Sequence, residues 1–300
     1  MVPTFRNILA TVDMSDADAP PLRYARLFAE EFSARLIVMH SDPIAFPADV
    51  AGPVSGFYGP VTPEHQTRLR EDVEKHVAPF LPGVLHEIDA TIGRPTQAIL
   101  RAAKDLKADL IITGAHRRRG WIRALLGSVS DGVLHGADCP VLVAPEVRGA
   151  SDTAAVTRIL CPVNFTEVAR ESLRVASRLA AAFGAYLIIA HVIEPDTVAD
   201  LTADEGRVKE WIDPELQGSG EYRQAILRGG AAEQVLDYAD ETRTDLLVIG
   251  AQHKLFRDTT VIGTTTERLL RFASSPVLVV PRQAVTPGKA ADPERRLVTV

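Results

Sequence analysis

The sequence predicts an α/β fold given twice, as two repeated domains that are each a five-stranded parallel sheet sandwiched between helices. Three observations carry this. The second half of the 300 residues restates the first in order and spacing. Short β-branched runs alternate with longer amphipathic stretches, which implies right-handed βαβ crossovers. The runs are apolar throughout, as strands covered on both faces must be.

The first strand is Ile8 to Val12, within Arg6-Asn7-Ile8-Leu9-Ala10-Thr11-Val12-Asp13, and it returns as Arg158-Ile159-Leu160-Cys161-Pro162-Val163-Asn164. The second, Leu36 to Met39, ends at His40, and its repeat ends at His191. Asp13 and Asn164, like His40 and His191, stand 151 positions apart, whereas Gly114 and Gly250, like Gly127 and Gly263, stand 136 apart. The first half therefore carries additional residues in between. Residues 42–62, with Pro43, Phe46, Pro47, Gly52, Pro53 and Phe57, read as that insertion. Such a loop serves either as a lid over a ligand or as a mobile connection.

The stretch from Thr96 to Lys107 sets Ile99, Leu100, Ala103 and Leu106 on one helical face. The fourth strand, Ala108-Asp109-Leu110-Ile111-Ile112-Thr113-Gly114-Ala115, matches Thr244-Asp245-Leu246-Leu247-Val248-Ile249-Gly250-Ala251. Both halves close alike, Cys139-Pro140-Val141-Leu142-Val143 against Ser275-Pro276-Val277-Leu278-Val279. These closing strands would be adhesive edges if left alone, so internal pairing of the two domains is expected, with a homodimer of whole chains left open. The domains are assigned to residues 1–146 and 158–282, with a polar linker at 147–157 and a tail at 283–300.

Composition narrows the function classes. A formal charge of −6 provides no overall field for a polyanion, which argues against nucleic acid as partner. No apolar run approaches the ~18 residues of a membrane span, and the first residues lack a signal pattern, so no membrane partner is expected and a cytoplasmic location is. The 2 cysteines, Cys139 and Cys161, adjoin strand-like runs and read as buried thiols. His65, His76 and His86 lack metal-ligand spacing, and no metal site is assigned.

In an open parallel sheet a ligand sits beyond the carboxyl ends of the strands, where strand order reverses. That points to Asp13 and Asn164 after the first strands, and to Gly114 and Gly250 at the ends of the fourth. Gly127-Ser128-Val129-Ser130 opens a helix running toward His135, and Gly263-Thr264-Thr265-Thr266 opens its counterpart. Unpaired N–H groups and the positive dipole end at such a start suit a phosphate. The plainer alternative is that Ser128 and Thr264 are N-caps. His40 and His191 lie near the same edge, either beside a ligand or bonded to neighbouring backbone.

Together these segments, with the turn Gly93-Arg94-Pro95, resemble the universal stress protein family, once per half and over nearly the whole chain. The resemblance implies a Rossmann-like fold of the adenine nucleotide alpha hydrolase type and, as ligand, ATP or AMP with Mg. In ATP-binding members a Gly-x2-Gly-x9-Gly-Ser/Thr run holds ribose and phosphates, and an Asp after the first strand contacts adenine. Carried over, the run starts at Gly114 and ends at Gly127-Ser128, with Arg117 where the second glycine belongs. In the second half it starts at Gly250 and ends at Gly263-Thr264, with His253 at that place. The adenine-contacting Asp is Asp13 in the first half and Asn164 in the second, so the first is the better nucleotide candidate.

Three functions follow: a nucleotide-binding stress or signalling protein without rapid turnover, a slow ATPase, or an interaction scaffold with degenerate sites. Walker-type and Gly-x-Ser-x-Gly motifs are absent from the sequence. Fold alone does not decide among the three.

Overall fold

The computed structural model describes residues 5–43, 62–115, 127–145, 154–194, 201–216, 221–251, 254–256, 259–261 and 263–281. The first half runs β1 (Asn7–Val12), α1 (Ala19–Phe32), β2 (Arg35–Asp42), α2 (Pro63–Val77), β3 (His86–Ile92), α3 (Pro95–Asp105), β4 (Leu110–Ala115), α4 (Ser128–Gly136) and β5 (Val141–Pro145). The second runs β6 (Arg158–Val163), α5 (Glu167–Phe183), β7 (Tyr186–Ile193), α6 (Leu201–Ile212), β8 (Tyr222–Arg228), α7 (Ala231–Glu241), β9 (Leu246–Ala251), a hairpin of β10 (Lys254–Phe256) and β11 (Thr259–Val261), α8 (Thr264–Phe272) and β12 (Val277–Pro281).

Local chemistry places the helix boundaries. Thr62 caps α2 by accepting from the His65 amide, and Thr166 caps α5 by accepting from the Ala169 amide. Prolines occupy the first turns of α1, α2 and α3, where the missing N–H has no intrahelical partner to lose. Gly184 ends α5 at a φ of 62°. The recurring Asp109 and Asp245 tie the repeat together: each carboxylate accepts the backbone amides that lead into its half's first strand, Arg6 and Asn7 for Asp109, Thr157 and Arg158 for Asp245.

Ten strands form one sheet in the order β3-β2-β1-β4-β5-β12-β9-β6-β7-β8. Neighbours within each half are parallel. The halves meet at an antiparallel seam that sets Val143 opposite Val277, Leu142 opposite Leu278 and Val141 opposite Val279. Each half thus offers its closing strand to the other, and neither is left as an edge.

Two continuous cores follow, one on each face of the sheet. One face packs residues of α1, α2, α5 and α6, among them Phe28, Val77, Leu173 and Ile212, onto Leu142 and Leu278. There Phe183 meets Phe28 and Phe32 across the halves, with ring centroids 5.2 and 5.7 Å apart. The opposite face packs α3, α4, α7 and α8 onto Val141, Val143, Val277 and Val279. Of the predicted loop at 42–62, Asp42 completes β2 and Thr62 caps α2; its possible use as a lid concerns residues outside those described, as do most of the linker and all of the tail after Pro281.

Both thiols are free and sit at these cores. Burial is the main cause that pushes Cys139 and Cys161 up to about 12, with Asp109 and Asp138 adding to the effect at Cys139. The thiolate is the reactive form. A disulfide-exchange reagent at pH 8 should therefore label neither cysteine in the native protein and both in denaturant. Rapid native labelling of Cys139 would contradict its burial.

Candidate functional site

In each half β1 or β6 is flanked by β2 or β7 on one side and β4 or β9 on the other, so strand order reverses beside it. At the carboxyl edge of β1 and β4 lies a cavity of about 1030 Å³. The β1 end contributes Asp13 and Met14, β2 contributes His40 and Ser41, and β4 contributes Thr113 and Gly114. Gly127, Ser128, Val129 and Ser130 supply the wall where α4 begins. Of the site residues predicted for the first half, all but Arg117 come together here; Arg117 lies outside the described residues.

The loop after β1 is held by a buried acid. Asp18 is 3% exposed. It accepts the Asp13 amide at 3.0 Å and the Ser15 amide at 3.1 Å, and it meets His76 Nε2 at 2.9 Å. Burial raises the Asp18 carboxyl above its ordinary range against the lowering effect of the Asp13 amide and His76. Met14 follows at a φ of 67°, a left-handed conformation uncommon for a side-chain-bearing residue. The Asp13 side chain accepts the Ser15 amide at 3.1 Å and is exposed toward the cavity.

At the facing wall Gly127 is the N-cap of α4, with no side-chain capping bond, and Ser128 is the first helical residue. The alternative in which Ser128 caps the helix does not hold. The amides of the first helical turn have no intrahelical acceptor, as at any helix start. Ser130 is used structurally: its hydroxyl donates to the Gly114 carbonyl at 2.8 Å and lies 3.1 Å from Thr113 Oγ1, which locks the helix start onto the end of β4. His40 is bonded through Nδ1 to the Val12 carbonyl at 2.9 Å, and β2 runs past it to Asp42, so it is not the last residue of its strand. His191 makes the same bond to Val163. Ser41 lines the cavity, and its buried Oγ has no partner among the described residues. The far wall belongs to the other half, with Glu267, Leu270 and Arg271 of α8 beside Asp131 and His135 of α4.

Residues 4–145 and again 155–281 match the model of the universal stress protein family. The chain belongs to that family, as two consecutive domains. A universal stress protein of Thermus aquaticus is 39% identical over 145 residues, 46% of this chain and 98% of its own length. One from Synechocystis is 29% identical over 150 residues, again 46% of this chain and 97% of its own. The crystal structure of a universal stress protein from Archaeoglobus fulgidus covers 94% of this chain and 100% of its own, at a TM-score of 0.69 and 22% identity, which speaks to the fold.

The second universal stress protein domain departs from the first at the same edge. Phe165, the counterpart of Met14, also adopts a left-handed φ of 60°. Its ring lies 4.6 Å from His191 and 5.8 Å, edge to face, from Trp211, with the Arg207 guanidinium 4.5 Å from its centroid. The Asn164 side-chain oxygen is taken by the Thr166 hydroxyl at 2.7 Å. The helix also sits closer: a Cβ on Gly250 would lie 2.6 Å from the Val168 carbonyl oxygen, whereas one on Gly114 would be 3.8 Å from that of Ala17. Gly263 caps α8 and Thr264 and Thr265 begin it, both exposed, while His253 lies outside the described residues. Among the described residues of the second half, a cavity of about 340 Å³ is lined by Phe165, Arg170, Arg207, Glu210, Trp211 and Pro214, none of them in the predicted set.

Sequence reasoning missed Asp18, Ser41 and the α8 wall. The spacing Ser15-x-x-Asp18 is a capping-box pattern that signals the first. Nothing local signals the other two. No group of three or more His, Cys, Asp or Glu able to hold a metal ion occurs among the described residues, and no helix there is long and apolar enough to cross a membrane.

Proposed function

We propose that the first domain binds an adenine nucleotide, ATP or AMP with Mg supplied alongside it, and that the protein works in stress response or signalling by binding and not by rapid turnover. The observation that carries this reading is the meeting of Asp13 with the uncapped start of α4 across one cavity. The exposed carboxylate suits the adenine amino group, the α4 amides and Ser128 suit phosphate, and Gly127 leaves the backbone at the helix start open to close approach. At about 1030 Å³ the space stands at the upper end of small-molecule sites.

For the second domain we favour a scaffold role. Phe165 with its stacked neighbours and the engaged Asn164 support it, since a base would have to displace both.

Isothermal titration with Mg-ATP and with AMP tests the reading. Binding at one site per chain is expected, and Asp13→Ala and Gly127→Val should each weaken it by about tenfold or more, the loss of one charged hydrogen bond or of close backbone approach. Unchanged affinity in both variants would overturn the site assignment. Phosphate release followed over hours separates pure binding from slow ATP hydrolysis.

A further inference from the structure

The cavity of the first domain is not closed by that domain alone. Its far wall is Glu267, Leu270 and Arg271 of α8, brought there by the β5–β12 seam. The internal repeat pairs Glu267 with Asp131 and Arg271 with His135, so α4 and α8 present corresponding residues to one space. The two sides differ in charge. In α4 the pair is Asp131 with His135, 3.7 Å apart; in α8 it is Glu267 with Arg271, a direct contact one helical turn apart. From Ser128 to His135 the groove follows two turns of α4, about 10 Å of helical rise.

We infer that Arg271 of the second domain receives the distal phosphates of a nucleotide seated in the first, so that the second domain selects for a long anionic tail instead of holding a nucleotide itself. This rests on the nucleotide reading above. Adenosine placed between Asp13 and Gly114 directs its 5′ end to the start of α4, and a monophosphate is satisfied there. Further phosphates run along α4 toward the α8 wall. The guanidinium is about one-third exposed, and its partner Glu267 about half. Exposed ion pairs of this spacing contribute little, so a phosphate can readily take the place of the carboxylate. A planar guanidinium can engage two phosphate oxygens at once. Glu267 then acts as the competitor that a monophosphate never meets.

The test is titration of the full chain with Mg-ATP and with AMP, for the native protein, Arg271→Ala and Glu267→Gln. Native protein should prefer ATP. Arg271→Ala should shrink the ATP-to-AMP preference by about tenfold, and Glu267→Gln should widen it. If Arg271→Ala leaves the preference unchanged, or weakens both nucleotides equally, the interdomain contact is wrong while the first-domain site stands. Failure of native protein to bind either nucleotide overturns both.

Discussion

Replacing Leu278 with Asp should lower stability by more than about 4 kcal/mol and break the cooperative link between the halves. Leu278 and its partner Leu142 face each other across the seam and are both 0% exposed. Truncating either to Ala costs about 2–5 kcal/mol through lost transfer energy and the residual cavity. An aspartate there adds the burial of a carboxyl group without a partner. The consequence reaches beyond the local loss, because β5 and β12 are the only strands that join the two parallel arrays among the described residues. Calorimetry should turn one native transition into two separated ones. A single transition within a few degrees of native would mean that the seam is not what unites the domains. The Leu142→Ala and Leu278→Ala double-mutant cycle should be non-additive, since the two side chains share one site.

Alanine at Gly250 should destabilise by about 3 kcal/mol, while alanine at Gly114, the corresponding position of the first domain, should change stability little. The contrast follows from how closely each domain's first helix approaches its fourth strand. At Gly250 the added carbon would lie 2.6 Å from both the Val168 carbonyl oxygen and its Cγ1; at Gly114 the nearest atom, Pro21 Cγ, is 3.7 Å away. The first clash involves backbone, which cannot swing aside as a side-chain tip can, so the strand or α5 must shift, at the upper end of what overpacking costs. Thermal melts of the two variants measure this directly, and equal effects would contradict the tighter approach in the second domain.

The same two glycines illustrate how far the sequence could be read. Gly114 and Gly250 occupy matching places in the repeat, and the letters set the halves apart at the candidate edge only through single positions such as Asp13 against Asn164. Periodicity and β-branched runs act over a few residues, so the alternation of strands and helices could be taken from the letters, as could the adhesive character of the closing strands; the strand order came from the structure. His40 was legible as a residue near the site, yet its bond to Val12 depends on the register between two strands.

What the sequence by itself determined is the double α/β fold, its family, and the edge at which Asp13 meets the glycine-led helix. What only the tertiary structure decided is how the edge of the second domain is filled, and that the second domain helps to line the cavity of the first. Whether the second site is open depends on Phe165 reaching His191 and Trp211, and on α5 lying against Gly250, contacts between segments far apart in the chain. The placement of Glu267 and Arg271 beside Asp131 follows from the antiparallel seam, which carries α8 across to the first domain. Local pattern specifies elements, but the distance between two elements is set by every side chain packed between them.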